Sequence, residues 1–256
     1  GFSLGRQPGD LDVEAAAAEA AERSTRMLGA VKPPSGRMTV VFDPWVSAQF
    51  LGIVGGTLSG EAVQKGRSLF ADRLGEDVAA PILTLVDDPT DPAAYTATET
   101  DGEGLATRRN VLLADGRLER FVHNSETARR AGTVSTGSAV RGYSSTPGVG
   151  IRAVAVVPGD RSPADLISGI RDGLLIQGVS GLHSGVNAVS GDFSTGAEGL
   201  RIRDGELAEP VREFTIASTI QKMLNDVTAI GDDLQWLPMR AAGVTLVIGE
   251  LTVSGV

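Results

Sequence analysis

Few residues in this chain can do chemistry, and their spacing limits what they can do. His183 stands beside Ser184 within Gly181-Leu-His-Ser-Gly185, a pairing that would suit nucleophilic hydrolysis, with serine attacking and imidazole taking its proton. The spacing argues against it. A nucleophile elbow reads G-x-S-x-G, and the glycines that Ser184 would need at 182 and 186 are Leu182 and Val186. On an extended segment neighbouring side chains also point to opposite faces, so His183 reads as a loop histidine bonded to backbone.

His123, the only other histidine, precedes Asn124, Ser125 and Glu126 and reads as a surface or cap residue at a helix start. Asp87, Asp88 and Asp91 offer oxygen ligands of the kind a hard cation takes. Beside Pro89 and Pro92 they read as turn formers, because aspartate bonds its own neighbouring backbone there. Catalytic zinc needs about three protein ligands drawn from His, Cys and carboxylates, plus an open position for water. Two scattered histidines and no cysteine predict no metal or cofactor held by this chain. The glycine-rich run from Gly178 to Gly199 matches no phosphate loop or dinucleotide fingerprint. Its glycines would let a second backbone approach, so a strand edge there would suit an extended peptide, and the plainer reading is tight turns in a sheet protein.

Composition narrows the classes further. A net charge of −9 and only 4% aromatic residues disfavour a nucleic-acid surface, which needs clustered cations and stacking platforms. Arg108-Arg109 and Arg129-Arg130 are isolated pairs. No run approaches the roughly 18 apolar residues of a membrane span, and no basic-then-apolar leader opens the sequence. The absence of cysteine fits a reducing compartment, so a soluble cytoplasmic protein is expected.

The elements that must position these residues follow from caps and periodicity. Leu11 to Leu28 is rich in alanine and glutamate, follows Asp10 as a cap and ends at Gly29, which predicts a helix. Arg37 to Phe42 reads as a buried strand. Asp43-Pro44 then pairs an N-cap with proline at the first helical position. Asp115-Gly116 and Asp204-Gly205 each separate two alternating runs, predicting hairpins over 110–122 and 200–207. Ser162-Pro163 opens a helix, 218–230 is predicted to form another before Gly231, and 244–253 a last strand. Without regular βαβ alternation, the expectation is an α+β fold with a largely antiparallel or mixed sheet and flanking helices.

Several ordered segments together resemble the TldD/PmbA family, also labelled modulator of DNA gyrase. They include Lys65-Gly-Arg-Ser68, Leu83-Thr-Leu-Val-Asp-Asp-Pro89, Asp101-Gly-Glu-Gly104, Thr127-Ala-Arg-Arg-Ala-Gly132, Pro158-Gly-Asp160, Gly185-Val-Asn-Ala-Val-Ser-Gly-Asp-Phe-Ser194 and Ile230-Gly-Asp232. The resemblance covers nearly all of residues 1–256. It implies the C-terminal region of that family, as one domain or two interlocked halves, with a further N-terminal domain in the full protein. In the catalytic TldD branch an H-E-x-x-x-H motif precedes the Lys/Arg-Gly-x-Ser element. Counting back from Lys65 without a gap puts the two histidines at Leu51 and Gly56 and the glutamate at Gly52.

With those ligands and the family's C-terminal cysteine missing, the chain is similar to the PmbA/TldE branch. That resemblance implies a subunit without catalytic residues, zinc held only by a TldD-like H-E-x-x-x-H partner, and a peptide substrate shared with the complex. The charge balance and the lack of a long apolar run predict no direct contact with nucleic acid or membrane. A loop for peptide or partner contact is expected at Gly185, Asn187, Ser190, Gly191, Asp192 and Ser194. The alternatives are a free-standing peptide-binding or scaffold protein without enzymatic activity, and an enzyme whose carboxylates do the chemistry.

Overall fold

Local hydrogen bonds set the helix starts. A computed structural model describes residues 1–256. Its first helix, α1 (Val13–Arg26), begins at Asp12, whose carboxylate accepts from the Ala15 N–H at 2.8 Å. The cap is therefore not Asp10, which instead closes a short turn with Gln7. Gly29 ends the segment in the left-handed region (φ 74°), as a helix-terminating glycine does. β1 (Gly36–Phe42) follows, then α2 (Pro44–Thr57), capped by Asp43, and α3 (Gly60–Gln64), capped by Ser59.

The middle of the chain is built from short elements. These are β2 (Leu85–Asp87), β3 (Asn110–Ala114), β4 (Arg117–Leu118), α4 (Ser125–Arg130), β5 (Ala139–Val140), β6 (Gly148–Val149), β7 (Val154–Val156) and α5 (Pro163–Ser168). The last third holds β8 (Asp172–Ser180), α6 (Leu182–Gly185), β9 (Asp192–Arg203), β10 (Glu206–Thr219), α7 (Ile220–Asn225), β11 (Val227–Ile230), β12 (Gln235–Trp236), β13 (Ala242–Gly243) and β14 (Leu246–Ser254), of which β8, β9, β10 and β14 are the long strands.

The fold is α+β. Its main sheet runs β1-β8-β9-β10-β14-β11, and β14 also pairs with β1, so five of the strands close into a ring. Only β1 and β8 are parallel; every other pairing in that sheet is antiparallel. β14 is paired along one side by β1 and on the other by β10 and β11 in succession. A second, antiparallel sheet of four strands runs β4-β3-β2-β7.

Between the sheets lies α2, apolar on nearly every side, with Val46, Ala48, Phe50, Leu51 and Val54 all buried. A helix of that kind belongs in a core. Phe50 makes edge-on contacts at 6.1 Å with Phe42 of β1 and Phe193 of β9. Alternation in β1 sends Val40 and Phe42 to this core, while Val41 joins Leu166 and Ile167 of α5 on the other face. β13 passes so close to the start of α2 that a Cβ on Gly243 would overlap the Pro44 carbonyl.

Both predicted Asp-Gly turns form, with Asp115 and Asp204 at φ 49° and 47°. Other expectations need correction. The helix predicted over 218–230 is only α7, capped by Thr219, because Val227 to Ile230 pairs with β14 as β11. A β-branched stretch beside an open strand edge takes the ladder over the helix. The first hairpin's return strand stops at Leu118; farther on, Val122 donates to the Leu58 carbonyl after α2. The segment around His183 is not extended but forms the single turn of α6.

Candidate functional site

The positions counted for the family's motif lie on α2. Leu51 is fully buried in the core, Gly52 is half-buried and Gly56 is exposed. Five positions along a helix correspond to about 140° of rotation, so Leu51 and Gly56 cannot share a face, whereas Gly52 and Gly56 do. A Cβ on Gly52 would make an ordinary contact with Ala241, and one on Gly56 would meet nothing within 4 Å. On another face, a Cβ on Gly55 would come within 2.6 Å of Ile151.

The open face of α2 borders a cavity of about 560 Å³. The helix contributes Ala48, Gln49, Gly52 and Ile53. The segment after β8 contributes Leu182, His183, Val186 and Ala188, and the stretch before β13 adds Met239, Arg240 and Ala241. The lining is mostly apolar and contains no Asp or Glu. His183 is its only residue of a zinc-ligating type, and nowhere do three His, Cys, Asp or Glu side chains gather as a metal site would require. The donor set at this position does not fit a catalytic zinc ion.

His183 and Ser184 share the helical turn of α6, and the Ser184 hydroxyl donates to the Gly181 carbonyl at 3.2 Å. His183 is exposed rather than bonded to backbone. His123 is neither a surface residue nor a cap. It is buried over Gly60 with Nδ1 3.2 Å from the Thr127 hydroxyl, and burial pulls its pKa down. Asn124 is the cap of α4, accepting from the Thr127 N–H at 2.8 Å.

The three aspartates also separate. Asp88 and Asp91 accept from Thr90 and Ala93 and shape turns, as expected. Asp87 instead ends β2, fully buried, where one oxygen accepts from the Arg152 and Ala153 N–H groups at 2.9 and 2.7 Å. Its other oxygen has no partner, and burial raises its pKa.

The expected contact loop is mostly self-bonded. Asn187 Oδ1 accepts from Val189 and Ser190, and the Ser190 hydroxyl donates to Asp192 at 2.6 Å. Gly191 is left-handed (φ 85°), and its carbonyl accepts from Ile220 at the start of α7. A Cβ on Gly185 would overlap the Ser194 carbonyl, and Ser194 itself belongs to β9. Leu182, Val186 and Ala188 tie this loop to the cavity; its polar side chains do not converge into a reactive group.

A second opening, of about 730 Å³, lies beside Gln177 to Ser180. β1 ends opposite Ile176, which leaves this stretch of β8 without a strand on that side. Arg23 of α1 reaches into the gap and donates to the Gln177 carbonyl at 2.8 Å and to Asp43 at 2.9 Å. Burial pushes the Asp43 carboxyl up to about 6 despite that guanidinium and the cap bond from Val46. Across the opening, a bulge in β10 holds Glu213 at φ 57°. Arg240 escaped the sequence reading, whereas a strand edge beside the glycine-rich run that starts at Gly178 stands there as the less plain reading. The edge depends on where β1 stops, and Arg240 is far from α2 in sequence with no motif around it.

Residues 35–255 match the family model of the PmbA/TldA metallopeptidase C-terminal domain. A metalloprotease of Methanothermobacter thermautotrophicus is 31% identical over 226 residues, 88% of this chain and 49% of that protein. A Thermotoga maritima protein crystallised as a candidate modulator of DNA gyrase superposes with a TM-score of 0.93 at 30% identity, over 98% of this chain and 57% of that one. TldE from Thermococcus kodakarensis superposes with a TM-score of 0.88 at 29% identity, over 96% and 56% of the two chains. The chain thus spans about half the length of the curated relatives it matches. No helix is long and apolar enough to cross a membrane.

Proposed function

Because this chain belongs to the PmbA/TldD metallopeptidase family, we propose that it works as the non-catalytic, PmbA/TldE-like subunit of a two-component zinc peptidase. The observation that carries the proposal is the composition of the motif segment. The positions counted for two histidines and a glutamate hold Leu51, Gly52 and Gly56, and an apolar cavity borders the helix face of Gly52. Hydrolysis by zinc needs ligands and a bound water that these residues do not supply. In this reading a TldD-like H-E-x-x-x-H partner in the cytoplasm holds the zinc, and this subunit helps confine an unfolded or extended peptide against it.

Co-expression of the full-length protein with its H-E-x-x-x-H relative tests the proposal. A stable pair burying on the order of 1,000 Å² or more, together with faster peptide cleavage than by the relative alone, is the expected result. A protein that stays monomeric in the mixture, beside a relative that cleaves equally well alone, would overturn it. The unpaired edge at Gln177 to Ser180 favours one second reading, a free-standing peptide-binding protein that adds a strand to β8. In that case peptide would bind without the relative, and competitors for the edge would displace it.

A further inference from the structure

We propose that the cavity beside α2 receives the apolar C-terminal residue of a peptide and holds its free α-carboxylate with Arg240 and His183. The proposal rests on the peptide-handling reading and adds the part of the peptide that is recognised. The volume, about 560 Å³, falls in the range of small-ligand sites and exceeds what one aliphatic side chain fills. Ile53, Leu182, Val186 and Met239 supply an apolar wall, and Gly52 leaves room where any larger residue of α2 would intrude.

Charge determines which end of a peptide fits. The chain has 32 acidic and 23 basic residues, yet the only ionisable side chains lining this cavity are Arg240 and His183. Arg240 is exposed and takes part in none of the chain's ion pairs. Arg240 lines this apolar cavity without a carboxylate partner, its Nη1 lying on the Gly150 side, and such a guanidinium matches a ligand carrying its own carboxylate next to an apolar group. A peptide amino terminus would find no acid to meet its ammonium, and an internal segment would bring a charge to Arg240 only where it carries Asp or Glu. Gln49 separates a peptide from a fatty acid. One N–H of its amide donates to the Trp45 carbonyl at 3.2 Å, and its oxygen can accept the N–H that precedes a peptide's terminal carboxylate, which a fatty acid lacks.

The test is direct binding of dye-labelled hexapeptides ending in leucine to the full chain, followed by fluorescence anisotropy. The free acid should bind about tenfold or more tightly than the same peptide with a C-terminal amide, as expected for losing a charge-assisted contact. Arg240→Gln should reduce acid binding to the amide level. Gly52→Leu, which fills the cavity from an open helix position, should weaken binding of the acid by about tenfold or more with the circular dichroism spectrum unchanged. Equal binding of acid and amide, a preference that survives Arg240→Gln, or no binding of either peptide overturns the proposal. So does octanoate displacing the peptide at equal concentration, which would make this a lipid-anion site. Pairing with the H-E-x-x-x-H relative is measured separately. Loss of the acid preference with pairing intact leaves the subunit role standing, and loss of pairing with the preference intact does the reverse.

Discussion

Arg23 and Asp43 meet at 2.9 Å, and the same guanidinium nitrogen holds the Gln177 carbonyl at 2.8 Å. One side chain of α1 thereby touches the cap of the buried helix and the unpaired end of β8. Asp43 is almost wholly buried while Arg23 is about one-third exposed, so the pair sits where the interior meets solvent.

Stability should respond to the titration of Asp43. Its carboxyl binds a proton more tightly in the fold than in the unfolded chain. Its contribution therefore favours the fold at low pH and is lost as pH rises from the ordinary carboxylate range through about 6. Asp43→Asn keeps a cap acceptor for the Val46 N–H and removes the titration, so its urea-unfolding free energy should vary less between pH 4 and pH 7 than the wild type's. Arg23→Met should cost about 1.5–3 kcal/mol at pH 8, where Asp43 is ionised, and less at pH 5.

Writing an H-E-x-x-x-H motif into α2 should not produce catalysis. Leu51→His places a polar ring in a fully buried site and should cost about 3–5 kcal/mol, measured by chemical denaturation. A Cβ on Gly56 meets nothing within 4 Å and one on Gly52 makes only an ordinary contact with Ala241, so Gly52→Glu and Gly56→His should fold normally. Neither the double nor the triple variant should hydrolyse peptides with added zinc, because no third ligand is placed beside them. Chelator-sensitive cleavage by either variant would contradict this.

The three glycines of α2 should separate in a thermal-melt series. Gly52→Ala and Gly56→Ala gain helix propensity without a clash and should each stabilise by about 0.5–1 kcal/mol. At Gly55 an added Cβ comes within 2.6 Å of Ile151, so Gly55→Ala should lose that gain or destabilise.

Gly60 and His123 should couple. A Cβ at Gly60 overlaps the buried imidazole, so Gly60→Ala should cost about 1–3 kcal/mol. In a His123→Ala background the cost should shrink, and a double-mutant cycle would report the difference. Additive effects would show that the ring does not limit the site.

How much was legible in the sequence differs by element. Asp43-Pro44 and Ser162-Pro163 predicted their helix starts because a cap is a contact over three residues. Both Asp-Gly turns were readable for the same reason. The stretch from Val227 to Ile230 was not, because its strand state depends on a free side of β14, a fact of topology. The candidate site divides in the same way. That Leu51, Gly52 and Gly56 are not ligand types stands in the sequence itself, but the cavity needs Arg240 and His183 brought to α2 by distant segments. His123 was misread because burial over Gly60 leaves no local signature.

Closure of the main sheet has a consequence during synthesis. β1 is bordered by β8 and β14, so its apolar row from Met38 to Phe42 emerges from the ribosome long before either neighbour exists. Until the final strand is released, the nascent chain carries an open, aggregation-prone edge that only a chaperone or transient collapse can shield. Premature stop codons anywhere before Leu246 would leave the ring without its closing strand, so truncated products should be cleared by proteases instead of accumulating as shortened chains.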